Sequence, residues 1–132
     1  MFNTMIKGFR AVSLAAGFLA VASVNSFAQE LGSHLDAVPP VYNGQCPATI
    51  TFNGWIAMNR PGSIRYRFVR SDGGKGPFVW LKFEQGGQQN VSTTWRLGGA
   101  RLRNYRGWEA IQIVYPRGMV SNHANFQMSC GK

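Results

Sequence analysis

The sequence predicts an all-β domain, an antiparallel β-sandwich of about seven strands. From Cys46 onward short apolar runs alternate with Gly- and Pro-containing breaks, and no stretch keeps the 3.6-residue spacing of a helix. Turn signals recur at about the 8–12-residue spacing typical of sandwiches. Two cysteines, Cys46 and Cys130, stand at the two ends of this segment and are read as one disulfide joining the first strand to the last.

Residues 1–28 read as a cleaved signal peptide. Lys7 and Arg10 form a basic start, Ala11 to Val24 an apolar stretch, and Ser26-Phe27-Ala28 a small-residue cleavage site. The apolar stretch is shorter than the roughly 18–20 residues that a membrane-crossing helix needs. No cysteine lies near the cleavage site, so no lipid anchor is expected, and no later segment is apolar enough to span a membrane. The expected location is the periplasm or the medium, where a disulfide persists. Residues 29–45, with Val38-Pro39-Pro40 and Asn43-Gly44, read as an extended lead, a linker or loosely attached edge segment. Residues 46–132 form the domain.

The first domain strand is expected over Ala48–Ala57, where Ile50 and Phe52 alternate with Thr49, Thr51 and Asn53. Pro61-Gly62 turns the chain into Ser63–Arg70, which has the cleanest period of two. Ile64, Tyr66 and Phe68 point one way; Ser63, Arg65 and Arg67 point the other. Residues 71–77 form a loop, because glycine supplies positive φ and Pro77 cannot continue a ladder. Phe78–Glu84 is a strand apolar on both faces, and Gln85-Gly86-Gly87 turns it back. Asn90–Leu97 sets Val91, Thr93, Trp95 and Leu97 against Ser92, Thr94 and Arg96. Gly98–Gly107 is a basic connection, Trp108–Tyr115 a strand stopped by Pro116, and Asn122–Cys130 the closing strand with Ala124, Phe126 and Met128 inward. These are six strands, or seven or eight where the lead and residues 98–106 add edges.

Several segments carry a family likeness: Cys46-Pro47-Ala48-Thr49, Arg65 to Gly73, Val91 to Gly98, Gly107-Trp108 and Ser121 to Phe126. The segment they span, Cys46 to Cys130, resembles immunoglobulin-like or fibronectin-type-III-like β-sandwich domains of exported bacterial proteins. The resemblance implies a secreted module and no particular chemistry, since such sandwiches host many functions. In antibody-type domains the bridge pins inner strands of opposite sheets, with a tryptophan packed on it. Here the cysteines are expected on the outermost strands, and Trp55 follows Cys46 by only nine residues.

Catalysis is not expected. Asp72 sits in a turn that its carboxylate caps. Glu84 and Glu109 could in principle pair across strands as general acid and base, but solvated surface positions are the expectation. His123 is expected outward and His34 in the lead. No G-x-S-x-G motif is present, Gly73-Gly74-Lys75-Gly76 lacks the spacing of a phosphate loop, and Cys46, Cys130, His34 and His123 show no close metal-ligand spacing. No cofactor or metal is implied.

The basic residues are more informative. Without Lys7 and Arg10, twelve basic residues face five acidic ones, a charge near +7, and nine of the twelve are arginine. Arginine grips carboxylate or phosphate with a planar fork and stacks on aromatic rings. Arg65, Arg67 and Arg96 take outward strand positions; Arg101, Arg103 and Arg106 crowd one connection with Tyr105 and Trp108. If these strands adjoin, they make a basic stripe interleaved with aromatics; otherwise they form a solvated face. Trp80, with Phe78, alternates away from Leu81 and Phe83 and is expected at a sheet edge or under a loop. The expected function is a non-enzymatic binding module for an anionic surface, glycan or acidic protein, with nucleic acid the least expected partner. A structural, assembly or adhesion subunit, or a small inhibitor of an extracellular hydrolase, is the alternative.

Overall fold

A computed structural model describes residues 30–131; the expected signal peptide and its cleavage site lie outside them. Nine strands follow one another as β1 (Leu31–Val38), β2 (Val41–Gly44), β3 (Ala48–Met58), β4 (Gly62–Arg70), β5 (Val79–Phe83), β6 (Gly87–Leu97), β7 (Asn104–Tyr115), β8 (Met119–Val120) and β9 (Ala124–Cys130). They form two sheets. The smaller has the order β1-β3-β6, and the larger β2-β9-β7-β4-β5 with β8 on β7. Every ladder is antiparallel except β2–β9, which is parallel.

The core lies between the sheets, and alternation puts it there. Ile50, Phe52 and Ile56 of β3 face Ile64 of β4, Ile111 and Ile113 of β7 and Phe126 of β9, all buried. The rings of Phe52 and Trp95 both meet Phe126 edge-on, at centroid distances of 5.7 and 5.3 Å. Such pairs add to the stabilisation from burial alone.

The lead is no loose linker. Its residues 31–38 pair along the whole of β3, with Leu31 opposite Met58 and Val38 opposite Thr51. Leu35 and Ala37 are buried in the core. The outer edge of β1 is held by the Asn122 carboxamide, which accepts from Leu35 N at 2.9 Å and donates to Leu35 O at 2.8 Å. One side chain thus acts as a one-residue strand. Gly54 lies opposite Leu35, and a Cβ there would overlap the His34 carbonyl oxygen, so only glycine lets β1 lie this close. After Val38 the two prolines end the ladder and β2 crosses to the larger sheet, where Pro40 O accepts from Gln127 N at 2.9 Å. Leu35→Ala is expected to cost about 2–3 kcal/mol, moderated because an edge strand can partly close the cavity. Urea unfolding measures it; a cost near zero would show the lead detached in solution.

Cys46 and Cys130 are bonded. Cys46 lies in the bend leading into β3, and Cys130 ends β9. The outermost-strand expectation is therefore corrected. β3 is the middle strand of its sheet and β9 is flanked by β2 and β7, so the bridge runs from the bend entering an inner strand of one sheet to the end of an inner strand of the other. The strands that were expected to be outermost became inner ones because β1 and β2 add to the sheets outside them.

Candidate functional site

The outer face of the larger sheet collects the exposed aromatic and arginine residues. On β4, Ile64 and Tyr66 point inward, which turns Arg65 and Arg67 outward. Antiparallel pairing sets Trp80 of β5 beside Arg65. On the other side, Tyr115 of β7 pairs with Arg65 and Gln112 with Arg67, with a register shift between Arg65 and Tyr66. That irregularity admits an extra residue, Val114, and so keeps Tyr115 on the outer face beside Arg65.

The side chains form a continuous cluster. The Arg65 guanidinium lies 4.5 Å from the Phe78 ring centroid and 5.7 Å from that of Trp80. Arg67 lies 4.4 Å from Phe78 and donates from Nε to Gln112 Oε1 at 2.7 Å. Trp80 meets Tyr115 edge-on at 5.6 Å. Trp80 is 58% exposed and Tyr115 52%, so broad ring surfaces face solvent beside two fixed cations. Trp80 sits on the edge strand β5, as expected for a sheet edge.

A second group occupies the same face further along β7. Arg106 and Trp108 alternate outward beside Asn125 and Gln127 of β9, walled by Pro40 and Val41 around an open depression of about 500 Å³. His123 is exposed, as expected, and stacks on Trp108 with centroids 3.7 Å apart and planes 9° apart. The other arginines lie elsewhere. Arg96 is exposed on β6, in the smaller sheet. Arg101 is exposed in the turn before β7, and Arg103 donates to Cys130 O at 3.3 Å. One continuous stripe through all six arginines does not form; Arg65, Arg67 and Arg106 share a sheet face and the rest do not.

Two charged residues behave in ways sequence reasoning missed. Glu109, expected at a solvated surface, is only 2% exposed and points between the sheets. It occupies the same face of β7 as Ile111 and Ile113, and its Oε2 has no hydrogen-bond partner. Burial pushes its pKa up to about 7, against the opposing pull of the Arg70 guanidinium. Arg70 lies 4.4 Å from the Trp95 ring centroid and makes a two-pronged bond to Asp72, at 3.1 and 3.0 Å. Asp72 caps Gly74 N at 2.8 Å, as expected for its turn, and this bond with Arg70 holds its carboxyl below the ordinary range. His34, expected in a loose lead, is fixed in β1 with Nε2 2.9 Å from Asp36 Oδ1.

No protein-family model and no curated protein matches this chain. Solved structures do. The CARDB domain of a Pyrococcus furiosus protein, determined in complex with di-metal ions, superposes with a TM-score of 0.57 at 10% identity, covering 80% of this chain and 97% of that one. A Pseudomonas fluorescens alkylpurine DNA glycosylase, bound to DNA containing an abasic site analog, gives 0.50 at 17% identity over 76% of this chain and 31% of its own. This chain thus spans under a third of the glycosylase. At such identities the likeness is one of fold, and with the two packed sheets it defines a β-sandwich domain. Among the described residues no three potential metal ligands cluster, and no helix is long and apolar enough to cross a membrane.

Proposed function

We propose that this protein is an exported, non-enzymatic binding module of the immunoglobulin-like kind, and that its ligand is an acidic polysaccharide or a partner bearing one. The observation that carries this reading is the packing of Arg65 and Arg67 against Phe78, with Trp80 and Tyr115 exposed at their side. An acidic glycan presents ring faces that stack on aromatics and carboxylates or sulfates that a guanidinium grips. Holding the arginines against rings before binding lowers the ordering cost of the complex. The net positive charge draws such a polymer in, and a disulfide is compatible with export.

The double reversal Arg65→Glu/Arg67→Glu is expected to weaken binding to polygalacturonate or heparin at least about tenfold, the loss that follows when charge-assisted contacts become repulsive. Arg101→Glu/Arg103→Glu should change it less than about threefold, in keeping with rim charges. Isothermal titration at two salt concentrations reads both. Equal losses for the two pairs would reduce the platform to general basicity, and unchanged binding after the first pair would remove it as the site.

A further inference from the structure

A second feature of the molecule has no part in the platform. Between the sheets, at the end where β4 runs into the 71–77 loop, a cleft of about 330 Å³ is lined by Phe68, Arg70, Lys75, Thr93, Thr94 and Glu109. Its volume is at the small end for ligand sites, enough for one ring rather than a chain. It lies in the sandwich interior, whereas Arg65 and Arg67 face away from it.

The Glu109 carboxyl decides what such a cleft accepts. Its buried Oε2 has no partner, and an orphaned buried oxygen costs free energy that a suitable ligand atom recovers. The groups facing it are Arg70 from β4, Asp72 and Lys75 from the loop, and neutral Thr93 from β6, whose neighbour Thr94 borders the cleft but alternates outward. Arg70 is already committed to Asp72. A ligand ammonium would bond an ionised carboxylate but meets Arg70 and Lys75. A ligand anion suits Lys75 but is repelled by the carboxylate unless that is protonated. A hydroxyl suits both states, donating to the carboxylate or accepting from the acid. The Thr93 hydroxyl offers a further donor and acceptor, and Phe68 with the adjoining Pro77 supplies an apolar wall for the C–H face of a ring.

We propose that the inter-sheet cleft beside Glu109 is a second binding site, separate from the arginine–aromatic platform, that takes one neutral hydroxyl-rich ring such as a monosaccharide unit or cyclic polyol. The site recognises the ring through Glu109 and Thr93, with Phe68 as its apolar wall.

The test uses the full mature chain labelled with ¹⁵N, titrated with glucose, galactose, mannose, N-acetylglucosamine and myo-inositol at pH 5.5 and 8.5. At least one probe should give saturable shifts at the Gly74, Gly76, Thr93 and Thr94 amides at both pH values, with affinities within about threefold of each other, because a hydroxyl pairs with either protonation state. Glu109→Leu should weaken that binding at least about tenfold, as a site built around ligand hydroxyls loses its partner. Thr93→Val, which leaves the carboxyl in place, should weaken it severalfold. Arg65→Glu/Arg67→Glu should leave it unchanged, so failure here and failure of the platform are read separately. The proposal is overturned if no probe shifts these amides, if shifts persist in both cleft variants, or if acetate or methylammonium binds there in preference to every hydroxylic probe.

Discussion

Replacing Cys46 and Cys130 by alanine is expected to lower the unfolding free energy by about 4 kcal/mol. The bridge spans 84 residues of sequence, and a cross-link closing a loop of that length removes roughly this much freedom from the unfolded chain. Domains of this size are stable by about 5–15 kcal/mol, so the variant loses roughly a quarter to four-fifths of its stability. The native state loses packing as well. Gly98, at a positive φ, lies so close to Cys46 Sγ and Met128 Sδ that a Cβ there would crowd both sulfurs. The bridge ties the bend before β3 to the end of β9, so its removal frees one sheet from the other at that end. Guanidinium unfolding of the double alanine variant measures the effect, and its m-value should rise as the unfolded chain expands. A loss below about 1 kcal/mol would show that the packed sheets hold this end without covalent help.

The second large effect is electrostatic. Glu109 carries a folded-state pKa of about 7 against an ordinary value of 4.5, a gap caused first by burial. The folded protein therefore holds this proton over a range in which the unfolded chain has released it. Stability is highest below the ordinary value, falls as pH rises from about 4.5 to about 7, and stays low above that. The difference integrates to about 3 kcal/mol, at 1.36 kcal/mol per unit. Asp72 works the opposite way: its lowered pKa favours the folded state above its ordinary value and is lost on acidification. Glu109→Gln should raise the midpoint of urea unfolding at pH 8 and flatten the curve between pH 5 and 7. Parallel pH profiles for the variant and the parent would place the carboxyl in contact with water.

Much of the fold is legible in local alternation. Ile64, Tyr66 and Phe68 against Arg65 and Arg67 identify an inward and an outward face without any knowledge of neighbours, and the Asp72 turn follows from Asp-Gly-Gly chemistry alone. Pairing is a different matter. Trp80 and Tyr115 lie thirty-five positions apart, and only the shared partner Arg65 brings them together. Arg96 alternates outward just as Arg67 does, yet outward from the other sheet, a distinction that no local pattern carries. Leu35 and Ala37 are the core-facing pair of a short strand whose amphipathic signal is cut off by Pro39-Pro40. Glu109 was readable in part. Its spacing from Ile111 and Ile113 places it inward, but the general cost of burying a carboxyl argued for the surface. The inward position wins because Glu109 sits between the paired strands carrying Arg70 and Ala124, which leaves it only 2% exposed at the wall of the inter-sheet cleft.

The parallel β2–β9 ladder also constrains how the chain can be made. Early elements depend on late ones: β2 has no ladder partner until residues 127–130 exist, and Asn122 must arrive before the free side of β1 is tied down. A nascent chain stalled before residue 123 would hold the hydrophobic rows of β3 and β7 with no Phe126 or Met128 to cover them. Pairing of β2 with β9 therefore waits on residues 127–130, and truncation before residue 123 would cost far more than the number of residues removed suggests.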